Sequence, residues 1–266
     1  MRMNEMKQGM KMKFFQMVGV LAVSMMGSTA FAADFAFDRP GEGMSTGITP
    51  VGHLAWEQGL PSVNYQEGNV GGAKDKTLTL NGDMLLRTGL ADGLELQLGW
   101  AGPVWQQHKR GGQKEESNGS GDMSVGLKKA IDLHDNRLSM ALLAQATLAT
   151  GNDEFSAHDD IYSLSSAVAY KFSDLIETSI TMRYEVQDGN WAVTAIPTLG
   201  YQIAGKLSGF SEFAYRKEES QPYESRLATG LIYAVNDRVH LDASVGVDLL
   251  SDNKGYNGGL GFAVLF

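Results

Sequence analysis

Charged side chains recur at alternate positions along most of this chain, and their types bound the chemistry it can do. Asp83, Arg87, Glu95, Arg137, Glu177, Arg183, Glu185, Glu212, Arg216 and Asp242 fall on the polar side of segments whose apolar residues take every second place. Carboxylates and guanidiniums in comparable numbers make either an ion-pair network that satisfies itself or charged rings in a wet passage that select solutes. These ten are the candidate lumen-lining residues. Nucleophilic catalysis would need a nucleophile beside a base held by a third polar group. Of the five histidines, His108, His134 and His158 fall in expected loops or turns, and His53 and His240 are expected to point inward. No catalytic residue is assigned, and an outer-membrane lipid hydrolase is the weaker, enzymatic reading.

Two loop clusters carry further charge. Asp153, Glu154, Asp159 and Asp160 offer oxygen ligands to a hard cation, but without EF-hand spacing, and they read as a solvated loop. Lys109, Arg110 and Lys114 could meet lipopolysaccharide phosphates, yet Glu115 and Glu116 follow directly, so they read as a mixed polar loop. There is no cysteine, which removes disulfides, thiolate chemistry, Cys-ligated metals and the acylated cysteine of a lipoprotein. No phosphate loop or dinucleotide fingerprint is present, and no metal or cofactor is assigned.

The elements that would position these residues follow from periodicity. Arg2, Lys7, Lys11 and Lys13 precede the apolar run Phe14 to Met26 and the stretch GSTAFA. That is the layout of a signal peptide covering 1–32, too short in its apolar part to cross a bilayer as a helix. Its removal takes the formal charge from −9 to about −12, which argues against nucleic acid as a partner. A lead-in over 33–47, expected on the periplasmic side or crossing the lumen, precedes a barrel over 48–266.

Segments with period two lie near 48–57, 77–88, 93–106, 120–131, 136–149, 161–172, 175–187, 190–203, 205–217, 223–235, 238–250 and 256–266. Most reach the roughly 9–11 residues that a tilted membrane strand needs. Tight turns such as Ala91-Asp92-Gly93 and Asn236-Asp237 alternate with longer polar stretches, among them 58–76, 107–119 and 150–160. Aromatic residues sort into an outer belt (Trp56, Trp100, Trp105, Tyr162, Tyr184, Trp191, Tyr215) and a periplasmic one (Tyr170, Phe172, Tyr201, Tyr233, Phe266). Hydrocarbon leaves no partner for an open sheet edge, so the sheet must close. The expectation is an all-β, closed antiparallel transmembrane β-barrel of about 12 strands in the outer membrane of a Gram-negative bacterium.

Five stretches, ADGLELQLGW with GPVWQ after it, GSGDMSVGLKKAI, LLAQATLATGNDEFS, AYKFSD and IYAVND, together with the Gly-rich closing strand, resemble an outer-membrane transporter family of the MetA pathway of phenol degradation. That family commonly has Pro where Ala149 precedes Thr150-Gly151. The resemblance implies a channel or transporter, in some members for aromatic compounds, and carries over no binding residue. The expected function is passage of small molecules, aromatic or other small hydrophobic compounds among them, through a narrow charged lumen. A sealed barrel serving as adhesin or envelope component is the alternative. Expected partners are outer-membrane lipids and lipopolysaccharide, a small-molecule solute, and the barrel assembly machinery through the terminal Phe266.

Overall fold

Apolar residues on one face of long strands, polar residues on the other and turn formers between them produce an antiparallel sheet closed on itself. A computed structural model describes residues 35–250 and 254–266; the expected signal peptide, 1–32, lies outside the described residues. In chain order the strands are β1 (Leu54–Val70), β2 (Ala73–Asn81), β3 (Met84–Ala91), β4 (Leu94–Trp100), β5 (Pro103–Arg110), β6 (Gln113–Ser120), β7 (Met123–Ile131), β8 (Leu138–Leu148), β9 (Ile161–Lys171), β10 (Ile176–Gln187), β11 (Asn190–Ala204), β12 (Leu207–Glu218), β13 (Tyr223–Asn236), β14 (Val239–Asp248) and β15 (Lys254–Leu265).

Three pairs of segments, β2 with β3, β4 with β5 and β6 with β7, are each one stave interrupted at a common height, so the wall has twelve staves. Across the interruptions Gly82 N donates to Pro103 O at 3.1 Å, Gly121 N to Gly102 O at 2.9 Å and Ala101 N to Asp122 O at 2.9 Å. These bonds keep the backbone satisfied where the ladder bends. Gly102 has φ +83°, and a Cβ there would sit 2.1 Å from Gly82 O, so only glycine fits. Pro103 opens β5 at the bend, with no ladder donor to lose.

Closure joins the first stave to the last. β1 pairs with β15 from Ala55↔Leu265 to Glu67↔Lys254, and Leu54 and Phe266 exchange reciprocal backbone bonds of 3.3 and 2.8 Å. The outward face is apolar and uncovered: Val245 is 65% exposed and Leu260 57%. Leaving such side chains in water costs about 25 cal/mol per Å², and a bilayer removes that cost. Tyr184, Trp191 and Tyr215 at the long-loop end, and Tyr170, Phe172, Tyr233 and Phe266 at the short-turn end, are exposed rings in the positions of interfacial girdles.

The structure corrects two expectations. The stretches 58–76 and 107–119 are not loops: β1 runs on to Val70 and turns at Gly71-Gly72 into β2, and β5 turns at Gly111-Gly112 into β6. Strands beyond the hydrocarbon are wet on both faces and lose the alternation that marks them within it. The first stave starts at Leu54 rather than near 48, which puts Trp56 at the short-turn end, paired with Val264 and touching the Phe262 ring edge-on at 5.2 Å. Residues 35–47, part of the lead-in expected on the periplasmic side or crossing the lumen, fold into the lumen.

Candidate functional site: a segment docked inside the barrel

Residues 35–49 have no strand periodicity because they belong to no sheet; inward-facing side chains of the wall satisfy their backbone instead. Glu57 accepts from Asp38 N and Arg39 N at 3.1 and 2.7 Å, and Thr181 Oγ1 from Met44 N at 2.9 Å. Glu212 accepts from Glu42 N at 2.9 Å, and Glu95 from Thr49 N at 2.5 Å. Arg87 donates to Ala36 O and Gly47 O at 2.9 and 3.1 Å, gripping the outgoing and returning limbs together. Ser45 closes the loop on itself by donating from N and Oγ to Asp38 Oδ1. The Met44 side chain packs on Ala141, Leu143 and Ala167, where small wall residues leave room for it.

Charge concentrates at the base of this segment. Arg87 and Lys128, both with fully buried side chains, face Asp38, Glu57 and Glu95: Arg87 lies 2.9 Å from Glu57 and from Glu95 and 3.6 Å from Asp38, and Lys128 lies 3.1 Å from Asp38. Burial alone would raise the Asp38 carboxyl above its ordinary value, but the adjacent Arg87 and Lys128 charges and the Ser45 hydrogen bonds outweigh it and hold Asp38 well below the usual range. Arg39 forms a second clamp, donating to Asp242 at 3.1 and 3.2 Å and to Asp83 at 2.9 Å. Phe35 lies under Arg87, 5.4 Å from ring centroid to guanidinium.

The docked segment stands between cavities. Toward the long-loop end, one of about 310 Å³ is lined by Glu42, Arg183, Glu185, Arg216, Arg226 and Asp248 among others. A neighbour of about 380 Å³ shares Glu185 and Arg216 and adds Asp159, Asp188 and Glu218. Toward the short-turn end, a cavity of about 530 Å³ mixes Phe35, Met44, Ile131, Leu138 and Met140 with Asp132, Arg137, Lys171 and Glu177.

The ten sequence candidates therefore divide by depth. Asp83, Arg87, Glu95, Glu212 and Asp242 touch residues 35–49 directly. Arg183 reaches the tip of the segment, donating to Glu42 O at 3.1 Å. Glu185 and Arg216 pair in the long-loop vestibule, while Arg137 and Glu177 line the short-turn cavity. Asp38, Arg39 and Glu42, charged residues of the docked segment itself, were not among the candidates. Their signal in sequence is charge within an aperiodic, Gly-rich stretch just ahead of a barrel whose inward set is rich in carboxylates.

Comparison with known proteins agrees with this architecture. The COG4313 outer membrane channel from Pseudomonas putida F1 superposes with a TM-score of 0.62 at 12% identity, covering 85% of this chain and 99% of that one. The transport unit of the autotransporter AIDA-I from Escherichia coli gives 0.50 at 10% identity, covering 92% and 97%. The translocator domain of NalP from Neisseria meningitidis gives 0.51 at 9%, covering 85% and 90%. At these identities the shared property is the outer-membrane barrel fold. No curated protein matches the chain in sequence. The family model described as "Putative MetA-pathway of phenol degradation" matches residues 37–266, a span that takes in every stave and all but the first two residues of the docked segment, and the chain belongs to that family.

Proposed function

We propose that this protein is an outer-membrane channel that passes small solutes through its lumen when residues 35–49 shift against the wall. The observation that carries the reading is the character of the docking. Cavities lie on both sides of a segment held chiefly by hydrogen bonds and ion pairs, and water can replace such contacts far more readily than it can enter a packed apolar core. The ten charged candidates then act as lining: five hold the segment, Arg183 both holds its tip and lines a cavity, and four present charge to a solute in the cavities.

The family description supports a small aromatic solute. The short-turn cavity suits one, since rings fit against Phe35, Met44 and Met140 while Arg137 or Glu177 meets a polar substituent. On this reading residues 1–32 are removed as a signal peptide, residues 33–47 are reached from the periplasm, and Phe266 is the end that the barrel assembly machinery reads. Lipid and lipopolysaccharide surround the wall, and the protein performs no catalysis. Single-channel conductance of the refolded mature chain, compared with a chain lacking residues 35–47, tests this. The deletion is expected to raise unitary conductance several-fold while the heat-modifiable gel shift of a folded barrel persists. Equal conductance in both would refute passage gated by the segment.

A further inference from the structure

Strand register brings together lysines that are scattered in sequence. Glu67 of β1 lies opposite Lys254 of β15 on one side and Lys76 of β2 on the other, Lys76 opposite Lys109 of β5, and Lys109 opposite Lys114 of β6. Directly opposed residues project from the same face, so one row across five strands carries four lysines and one glutamate. Strands lie about 4.8 Å apart, which makes the row about 19 Å wide. Lys74, two residues from Lys76 on β2, shares the face.

That face is the outward one. Gln66, next to Glu67 and therefore on the opposite face, lines the lumenal cavity beside Glu42. Toward the bilayer the next row holds Tyr65, Tyr256 and Leu78, the two tyrosine rings 6.3 Å apart. The row beneath it holds Val63, Leu80 and Trp105. Apolar, aromatic and cationic rows thus follow one another as hydrocarbon, interface and phosphate layer do in a leaflet. Among the described residues, against Lys74, Lys76, Lys109, Lys114 and Lys254 the face sets Glu67 and Glu116, a surplus of positive charge in a chain whose formal charge is −9. Glu67 pairs with Lys76 and Glu116 with Lys114, while Lys109 and Lys254 have no ion pair among the described residues.

We propose that this row docks the phosphorylated sugar headgroup of lipopolysaccharide in the outer leaflet, with Lys109 and Lys254, which have no ion pair among the described residues, supplying the charge. The inference rests on the outer-membrane placement given above. Lysines near an anionic lipid surface each strengthen attachment several-fold, and Tyr65 with Tyr256 fixes the depth at which they meet it.

The test titrates the refolded mature chain in detergent with lipopolysaccharide and, in parallel, with phosphatase-treated lipopolysaccharide, reading bound lipid by native mass spectrometry. Combined Lys109→Glu and Lys254→Glu substitution is expected to weaken binding of the phosphorylated lipid about tenfold or more and to abolish the preference over the dephosphorylated one. Arg110→Glu, which alters charge on the opposite face of the same strand, is expected to change nothing. Should the double variant fail to give the heat-modifiable shift of a folded barrel, Lys109→Gln with Lys254→Gln serves in its place. Unchanged affinity in the substituted barrel, or equal binding of both lipids by the wild type, overturns the proposal. A wild-type chain that folds into bilayers without phosphate preference refutes only the docking row; one that cannot insert refutes the membrane placement itself.

Discussion

Arg87 donates from Nη1 to Glu57 at 2.9 Å, and both side chains are wholly shielded from solvent inside the barrel. The same guanidinium bonds Glu95 and the carbonyls of Ala36 and Gly47, so one wall residue neutralises the wall's own carboxylates and grips the docked segment at two points.

Replacing Arg87 by Gln leaves Asp38, Glu57 and Glu95 with Lys128 as the only cation at their centre among the described residues. Breaking a buried ion network by removing one partner costs about 3–5 kcal/mol. The expected result is a barrel that still forms on gels but unfolds at lower guanidinium concentration and dwells longer in open states in planar bilayers. Wild-type open probability in this variant would show that Arg87 does not hold the segment.

The segment can be locked covalently. Thr46 Oγ1 and Ser139 Oγ lie 2.7 Å apart, and the chain contains no cysteine to compete. In a Thr46→Cys, Ser139→Cys variant, oxidation should reduce conductance below the wild-type level, and a reductant applied from the short-turn side should restore it.

The depressed Asp38 carboxyl sets a pH dependence. A group whose folded pKa lies below its ordinary value of 3.8 stabilises the folded arrangement fully above that value. The contribution declines as pH falls below that value and is gone once pH has dropped past the lowered folded pKa. The docking advantage of wild type over Asp38→Asn should therefore be constant between about pH 5 and 7 and shrink below about pH 4. Hydrogen exchange of residues 35–49, followed across that range in both proteins, reads it directly.

In the long-loop vestibule Arg183, Arg216 and Arg226 are outnumbered by Glu42, Asp159, Glu185, Asp188, Glu218, Glu224 and Asp248. Such a mouth concentrates cations. Reversal potentials in a KCl gradient should show preference for K⁺ over Cl⁻, weakened by Glu185→Gln and strengthened by Arg183→Gln, with the effect of each falling as salt rises.

Most of the wall was legible because lipid on one face and water on the other impose strict alternation, as in Ile176 to Gln187, where Ile180, Met182 and Tyr184 alternate with Thr181, Arg183 and Glu185. The same physics hid the upper hairpins: past the hydrocarbon, Gln66 to Lys76 faces water on both sides and reads as loop. The docked segment was hidden for another reason. Asp38 meets Lys128, Arg39 meets Asp242 and Met44 meets Thr181 across long sequence separations, and no local pattern encodes partners that closure alone brings together. The lysine row was likewise split between residues read as separate loops, and only strand register joins Lys76, Lys109 and Lys254.

The seam between Leu54 and Phe266 fixes the order of events in biogenesis. Because the stave that opens the barrel is completed only by the stave that ends it, no intermediate delivered from the N-terminal side can seal itself. Every nascent form presents two raw strand edges along with the apolar surface beside them, and contacts this distant in sequence form slowly. A chain whose edges meet last stays exposed to aggregation until the barrel closes. A lesion confined to the last few residues, far from any lumenal charge, would strand the whole chain as a template for aggregation.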